Sequence, residues 1–358
     1  MAAYGLTNAF EVPPRPLGDD EWRSMISAAN GQRLAGVLAR AVADGSFPAS
    51  PSQQAAAAEL AFRATRLDVR LERSLLRVVD LLAAAGLETR VLKGSAVAHL
   101  DYPEPGMRSF SDVDLLLRSE DFDAAVVALS SAGYRRRYPQ PRPGFDRRFG
   151  KGACLVSPSQ GHEIDLHRTL VLGPLGLTIP LHRLWERSSS FDLAGRSLAA
   201  LAPEDRFLHA CHHAVLGQQP PRLVPLRDVA QMTLSPSLDE EQVRARCREW
   251  RAEAVVAEAV RCTWDSLKID TSTSLSLWAR SYRPTRRERS ALRSYAGAGT
   301  YSAKALASVR VIPGLRGKAA YVSALAFPQA RYVRNRHGGR LRRWGHAIHD
   351  ARRARDDR

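Results

Sequence analysis

Between Pro51 and Gly86 the chain holds no internal breaker, and Leu60, Leu67, Leu71, Leu75, Val78 and Leu82 recur every three or four positions. That period predicts one long amphipathic helix. The preceding stretch from Asp19, acidic at its start and interrupted near Gly31, predicts two short helices. Beyond Gly86 the pattern shortens. "ETRVLKG" predicts a strand ending at Gly94, "SAVAHL" a short helix, and "DYPEPGMR" a loop, because two prolines and a glycine oppose regular structure. "FSDVDLLL" predicts the next strand, 120–132 a helix ended by Gly133, and "YRRRY" a further strand. Residues 153–157 and 163–170 flank the turn-forming "PSQGH", which predicts an antiparallel hairpin. After "LAPEDR" helical spacing returns over 203–217, 227–234 and a continuous stretch over 237–264. No repeat of roughly 20–50 residues is present, which excludes a solenoid.

The pattern therefore predicts an α+β protein in four parts: an N-terminal helical region over 1–86, a small mixed β-sheet core over 87–200, a C-terminal helical domain over 201–330 and a basic tail over 331–358. With 358 residues, 44% of them hydrophobic, the chain can bury a sizeable core. No run approaches the roughly 20 apolar residues of a membrane span, and "MAAYGLTNAFEVPPRP" lacks the basic head and apolar segment of a secretory signal. The expected location is the cytoplasm. Cys154, Cys211, Cys247 and Cys262 stand too far apart for a metal knuckle or a disulfide framework and are expected to be buried thiols. The net charge of +16 attracts polyanions, but the tail alone holds ten arginines against three aspartates. An Ala- and Arg-rich composition also arises from a GC-rich genome, so charge alone does not establish nucleic-acid binding.

The chemistry concentrates in the middle of the chain. In a strand, positions i and i+2 share a face, so Asp112 and Asp114 project together. Two carboxylates that close repel unless a cation lies between them, and hard divalent ions bind through carboxylates and substrate phosphates. On its own, "SDVD" is more often a strand-end turn with both acids in water. Three further features change that balance. Gly94 and Ser95 sit at a strand-to-helix turn, where backbone N–H groups and a hydroxyl meet an anion. Asp165 is a lone carboxylate in the alternating "HEIDLHRTL", able to bring a third ligand from a neighbouring strand. Lys93 and Arg108 flank the two motifs and carry the charge to neutralise a triphosphate.

In this order, these residues resemble the nucleotidyltransferase superfamily with the polymerase-β-like fold, whose signature is Gly-Ser at a strand-to-helix turn, Asp-x-Asp on the next strand and a third Asp on a later one. More narrowly, "LKGSAVAHLDYPEPGMRSFSDVDLLL", "EIDLHRTL" and "LAPEDRFLHACHHAVLGQQPPRLVPLRDVAQM" look like a bacterial family of uncharacterised nucleotidyltransferases, over about residues 20–235. "FPQARYVRNRH" is similar to that family's ending. Gly94-Ser95 stands farther from Asp112 than in the wider superfamily because "LDYPEPGMR" intervenes, a spacing the narrower family shares. The resemblance implies transfer of a nucleoside monophosphate from a nucleoside triphosphate such as ATP to an acceptor hydroxyl. It implies Mg²⁺ (or Mn²⁺) in a two-metal mechanism, with Asp112 and Asp114 holding both ions and Asp165 completing the site and helping deprotonate the acceptor. Lys93, Gly94, Ser95, Arg108 and Ser111 are then the nucleotide- and phosphate-binding candidates. His213 and Asp228 recur in the resembled family, which implies a supporting or substrate-facing role.

His167 shares the face of Asp165 on strand parity and is a further candidate for the metal site or substrate, or a satisfied structural histidine. His209, His212 and His213 have the spacing to share a metal, but the third ligand and neighbouring glutamate of a zinc enzyme are missing. "GLRGKAA" lacks the spacing and the hydroxyl of a P-loop, which excludes that class. The tail mixes arginines with Tyr332 and Trp344, which suits RNA contact with base stacking, a solvated basic end, or a basic helix on an acidic membrane. The acceptor stays open among a small molecule, a peptide or protein side chain and an RNA end. Two rival readings use the same fold: a non-catalytic nucleotide- or nucleic-acid-binding module, and a toxin-like transferase acting on transfer RNA.

Overall fold

The computed structural model describes residues 1–7, 12–159, 161–218, 220–295 and 300–337. Helices α1 (Asp19–Gly31) and α2 (Ala35–Ala43) lead into α3 (Pro51–Ala84). Ser50 caps α3 by accepting the Gln53 N–H while the Gln53 side chain returns the bond, and Pro51 sits where no N–H is needed. Its 34 residues span about 51 Å. The N-terminal half packs Ala57 and Leu60 against Trp22, Leu38 and Phe47. The C-terminal half packs Leu71, Leu75, Val78 and Leu82 against the sheet.

Asp68 lies buried on this helix and accepts the Phe110 N–H at 3.0 Å. Burial, opposed in part by that bond, pushes its carboxyl up to about 6. The folded protein therefore holds this proton more tightly than the unfolded chain, so stability declines as pH rises from about 4 through about 6. Asp68→Asn keeps an acceptor for Phe110 and removes the charge. It is expected to flatten that part of the pH profile and to add about 1–2 kcal/mol at pH 7, read by urea unfolding at pH 4.5 and pH 7.

The sheet follows: β1 (Arg90–Val91), α4 (Lys93–Asp101), β2 (Val113–Leu116), α5 (Phe122–Ser131), β3 (Arg135–Arg136), α6 (Phe145–Arg148), β4 (Gly152–Val156), β5 (Glu163–His167), α7 (Arg183–Glu186), β6 (Ser189–Leu193) and β7 (Arg196–Ala200). The seven strands run in the order β3-β4-β5-β2-β1-β7-β6. The β2–β5 and β1–β7 pairs are parallel and the others antiparallel, so the sheet is mixed. Side-chain alternation decides where the chemistry goes. Val113, Leu115 and Leu117 join the cluster beneath α3 and α5, while Leu116 joins the opposite one, so Asp112 and Asp114 project away from α3.

That second face is covered by α8 (Pro203–Leu216), α9 (Leu223–Thr233), α10 (Glu240–Trp250) and α11 (Glu253–Leu267). Bidentate contacts from Arg206 to Asp101 tie α8 to α4. Helices α12 (Ser274–Ser281), α13 (Arg286–Arg293), α14 (Thr300–Val311), α15 (Leu315–Ala326) and α16 (Ala330–His337) complete the described chain. Tyr321 and Ala324 of α15 pack on Phe145 and Phe149 beside β4. Among the described residues no helix is long and apolar enough to cross a membrane.

Several expectations are corrected. The strand read as "ETRVLKG" shrinks to two residues, because Lys93 already opens α4. The stretch over 237–264 is two helices, broken where Arg251 turns left-handed. The β6–β7 hairpin is an addition to the expected elements; its turn uses Ala194 and Gly195, both at positive φ, the geometry that suits a two-residue hairpin. Only Cys211 and Cys247 are buried, whereas Cys154 and Cys262 are half-buried. Most of the tail, including Trp344, lies outside the described residues.

Candidate active site

Strand β1 delivers the first group. The Leu92 N–H donates to the Asp114 carbonyl at 2.9 Å, and the chain then kinks through Lys93 (φ 37°) and Gly94 (φ 27°, ψ −111°) into α4. The kink places the Lys93 ammonium 2.8 Å from Asp114 Oδ1. Positive φ at a lysine is strained, and such strain persists where surrounding contacts hold it. A side chain at Gly94 would be strained by the positive φ, and an added Cβ would press on the Phe110 ring at 3.3 Å. Gly94→Ala is expected to cost about 1–3 kcal/mol, seen as a lowered thermal midpoint, with activity falling further because Lys93 shifts.

Register sets the carboxylates. Asp114 on β2 is paired directly with Asp165 on β5, and Leu116 with His167. Asp114, Asp165 and His167 each bring one ligand atom to within 4.8 Å of one another, and among the described residues this is the only such group of three. His167 Nε2 lies 2.7 Å from the same Asp114 oxygen that Lys93 holds. Asp112, half-buried just before β2, stands outside this close group, and the Ser111 hydroxyl donates to it at 3.2 Å.

The electrostatics follow from this crowding. Burial would raise the Asp114 carboxyl, but Lys93 and His167 hold it well below the usual range. Asp112 is raised by burial and by the charges of Asp114 and Asp165. Burial opposes the Lys93 charge, yet Asp114 and Asp112 hold its pKa above that of an ordinary lysine. His167 is lowered by burial and by Lys151, so at neutral pH it is an uncharged imidazole whose Nε2–H donates to Asp114. Cys154, across from Asp165 in register, has its thiol pushed up to about 12 by burial and the Asp165 charge, which removes it as a thiolate nucleophile.

Two cavities flank the carboxylates. One of about 320 Å³ is lined by Arg33, Lys93, Arg108, Asp112, Asp114 and Arg222, with His213 on its wall. The other, of about 240 Å³, is lined by Tyr138, Lys151, Cys154, Asp165, His167 and Tyr332. Burial and then the Lys93 charge lower His213, which is therefore neutral. His209 is buried, and His212 is bonded to the Leu208 carbonyl at 2.7 Å.

Other sequence candidates have partners of their own. The Ser95 hydroxyl is buried and donates to Glu72 of α3 at 3.0 Å, where His99 also binds. Arg108 forms a buried two-point contact with Asp228 at 3.0 and 2.8 Å, and the Tyr102 hydroxyl donates to the same carboxylate at 2.8 Å. Arg33, Lys151 and Arg222 escaped the sequence reading because they reach the site from loops that the sheet and α8–α9 bring together. The one available signal was "GKG", a lysine between glycines at a strand entry; a Cβ on Gly152 would collide with the Leu166 carbonyl.

Carboxylates on adjacent central strands, a lysine at a kinked strand-to-helix turn and a cationic cavity beside them are the parts that phosphoryl-group chemistry requires. The chain belongs to the family described as uncharacterised nucleotidyltransferases, whose sequence profile matches residues 18–266, well over half of the chain. It is a transferase of the nucleotidyl class. Two solved structures are similar in fold. The antibiotic-resistance factor ANT(2'')-Ia, in solution, has 14% identity and a TM-score of 0.36 over 53% of this chain and 96% of that one. An antigenic nucleotidyltransferase-like protein from Paracoccidioides brasiliensis has 16% identity and a TM-score of 0.35 over 57% and 94% respectively. No curated protein matches the sequence.

Proposed function

We propose that the protein transfers a nucleoside monophosphate from a nucleoside triphosphate to an acceptor hydroxyl, using Asp112, Asp114 and Asp165. The observation that carries this reading is the direct register of Asp114 with Asp165 beside a cavity lined by Arg33, Lys93 and Arg222. The triphosphate lies in that cavity, its charge met by Arg33 and Arg222 and in part by Lys93, which is shared with Asp114, with the Gly94 kink at its edge. Arg108, already neutralised by Asp228, fixes the wall rather than spending its charge on substrate.

The donor set suits a hard divalent cation. Oxygen ligands match Mg²⁺ or Mn²⁺, and the upward push on Asp112 from its neighbouring carboxylates is a repulsion that a cation relieves. Asp112, Asp114 and Asp165 would hold it, with His167 adjoining. Bound there, the ion supplies charge neutralisation at the phosphates and acidifies the acceptor hydroxyl.

The chain's own residues do the rest. Lys93 and His167 orient Asp114 through one oxygen. Asp165, which opens into the second cavity, accepts the proton of the acceptor hydroxyl entering from that side. The acceptor oxygen then bonds to the α-phosphorus, the α–β phosphoric anhydride bond breaks, and pyrophosphate leaves toward Arg33 and Arg222. The test is incubation with each nucleoside triphosphate, Mg²⁺ or Mn²⁺ and a cell extract. Metal-dependent pyrophosphate release with one fraction of that extract supports the reading; triphosphate binding without release, as a non-catalytic module would give, contradicts it.

A further inference from the structure

Helix α3 carries arginines at 63, 66, 70, 73 and 77, a spacing of three and four that puts all five within an arc of about 80°. All five are exposed. The two acidic residues inside this span turn away: Asp68 is buried against the Phe110 N–H, and Glu72 is bound by Ser95 and His99. Arg63 reaches Glu59 at 3.6 Å, while Arg66, Arg70, Arg73 and Arg77 have no carboxylate within ion-pair distance among the described residues. The stripe runs for about 21 Å along a rigid helix. Phe62, 58% exposed, lies beside it with the Arg66 guanidinium 5.7 Å from its ring centre.

The stripe is joined to the reacting carboxylates. A cleft of about 450 Å³ between α1, α3 and residues 109–111 is lined by Asn30, Arg33, Arg63, Leu67, Asp68 and Ser111. Arg33 also lines the cavity that holds Asp112, and Ser111 donates to Asp112. Arg63, the first arginine of the row, lines this cleft.

We propose that α3 is the docking surface for a single-stranded nucleic acid, whose phosphates follow Arg63 to Arg77 and whose end lies at the mouth of the cleft. Charge complementarity selects the occupant: successive phosphates match successive guanidinium groups, and an exposed aromatic ring beside them offers a stacking surface. A lipid surface fits less well, because the outward arc is cationic rather than apolar. The chain's own tail, with ten arginines against three aspartates, is repelled by the stripe. The binding does not rest on the transfer reading above.

The experiment compares full-length wild type with Arg66→Ala/Arg70→Ala/Arg73→Ala for binding of a dye-labelled 20-nucleotide single-stranded RNA across a salt series. Three lost phosphate contacts are expected to reduce the slope of log affinity against log salt by about 2 and to weaken binding at least about tenfold near 0.1 M salt. Binding of a fluorescent ATP analogue is expected to be the same in both proteins. RNA affinity and salt slope unchanged in the variant overturn the proposal, as does loss of binding to phosphatidylserine vesicles with RNA binding intact. Failure of the wild type to bind the ATP analogue while RNA binding responds as expected counts against the transfer reading and leaves the docking surface standing.

Discussion

Asp112→Asn and Asp114→Asn are each expected to reduce nucleotidyl transfer by about a thousandfold or more, while only Asp114→Asn lowers stability. Both substitutions keep the side chain's size and remove its charge. The Asp112 charge is opposed in the folded state by burial and two neighbouring carboxylates, so Asp112→Asn leaves the thermal midpoint unchanged or higher. The Asp114 charge is stabilised by Lys93 and His167, and Asp114→Asn leaves the Lys93 ammonium with a weaker partner, so its midpoint falls. Thermal unfolding and pyrophosphate release measured on the same preparations separate the two effects. Appreciable transfer by either variant removes these carboxylates from the chemistry. A midpoint that falls equally in both would contradict the electrostatic account of the site.

Arg108→Ala or Asp228→Ala is expected to destabilise the protein by about 3–5 kcal/mol, because each leaves a buried charge without its partner. The pair is enclosed, with Arg108 and Asp228 both buried and the Tyr102 hydroxyl spending its proton on the same carboxylate. It also joins the loop that precedes β2 to α9, so its loss frees the segment bearing Asp112. The double substitution Arg108→Met/Asp228→Leu removes both charges and is expected to cost much less than either single change. Urea unfolding of the three variants decides this. A single variant as mild as the double one would show that the pair is not desolvated as described.

The fold was legible where a short-range rule governs it. The period of α3, the breakers before β2 and the alternation of β4 and β5 each reflect a local constraint, and the α+β layout follows from them. The Asp-x-Asp spacing and the lone Asp165 stood out in the sequence because acids in apolar strands are costly without a purpose, and the register of β2 with β5 brings Asp114 and Asp165 together. What escaped has a common cause. Arg108 meets Asp228 across 120 positions, Ser95 meets Glu72 on a helix that precedes it, and Arg33, Lys151 and Arg222 converge from separate loops. Such pairings depend on how elements stack, and no local pattern encodes them. The left-handed break at Arg251 was hidden for a different reason, since no glycine or proline marks it.

On the proposed function this site moves a nucleotidyl group rather than a phosphoryl group. Parallel reactions with nucleoside triphosphate labelled at the α- or the γ-phosphate, with Mg²⁺ and a responsive acceptor fraction, test it most directly. The α-label is expected to pass to the acceptor and the γ-label to appear as pyrophosphate, both lost in Asp114→Asn. Transfer of γ-label to the acceptor, or bound triphosphate with neither product, would contradict it.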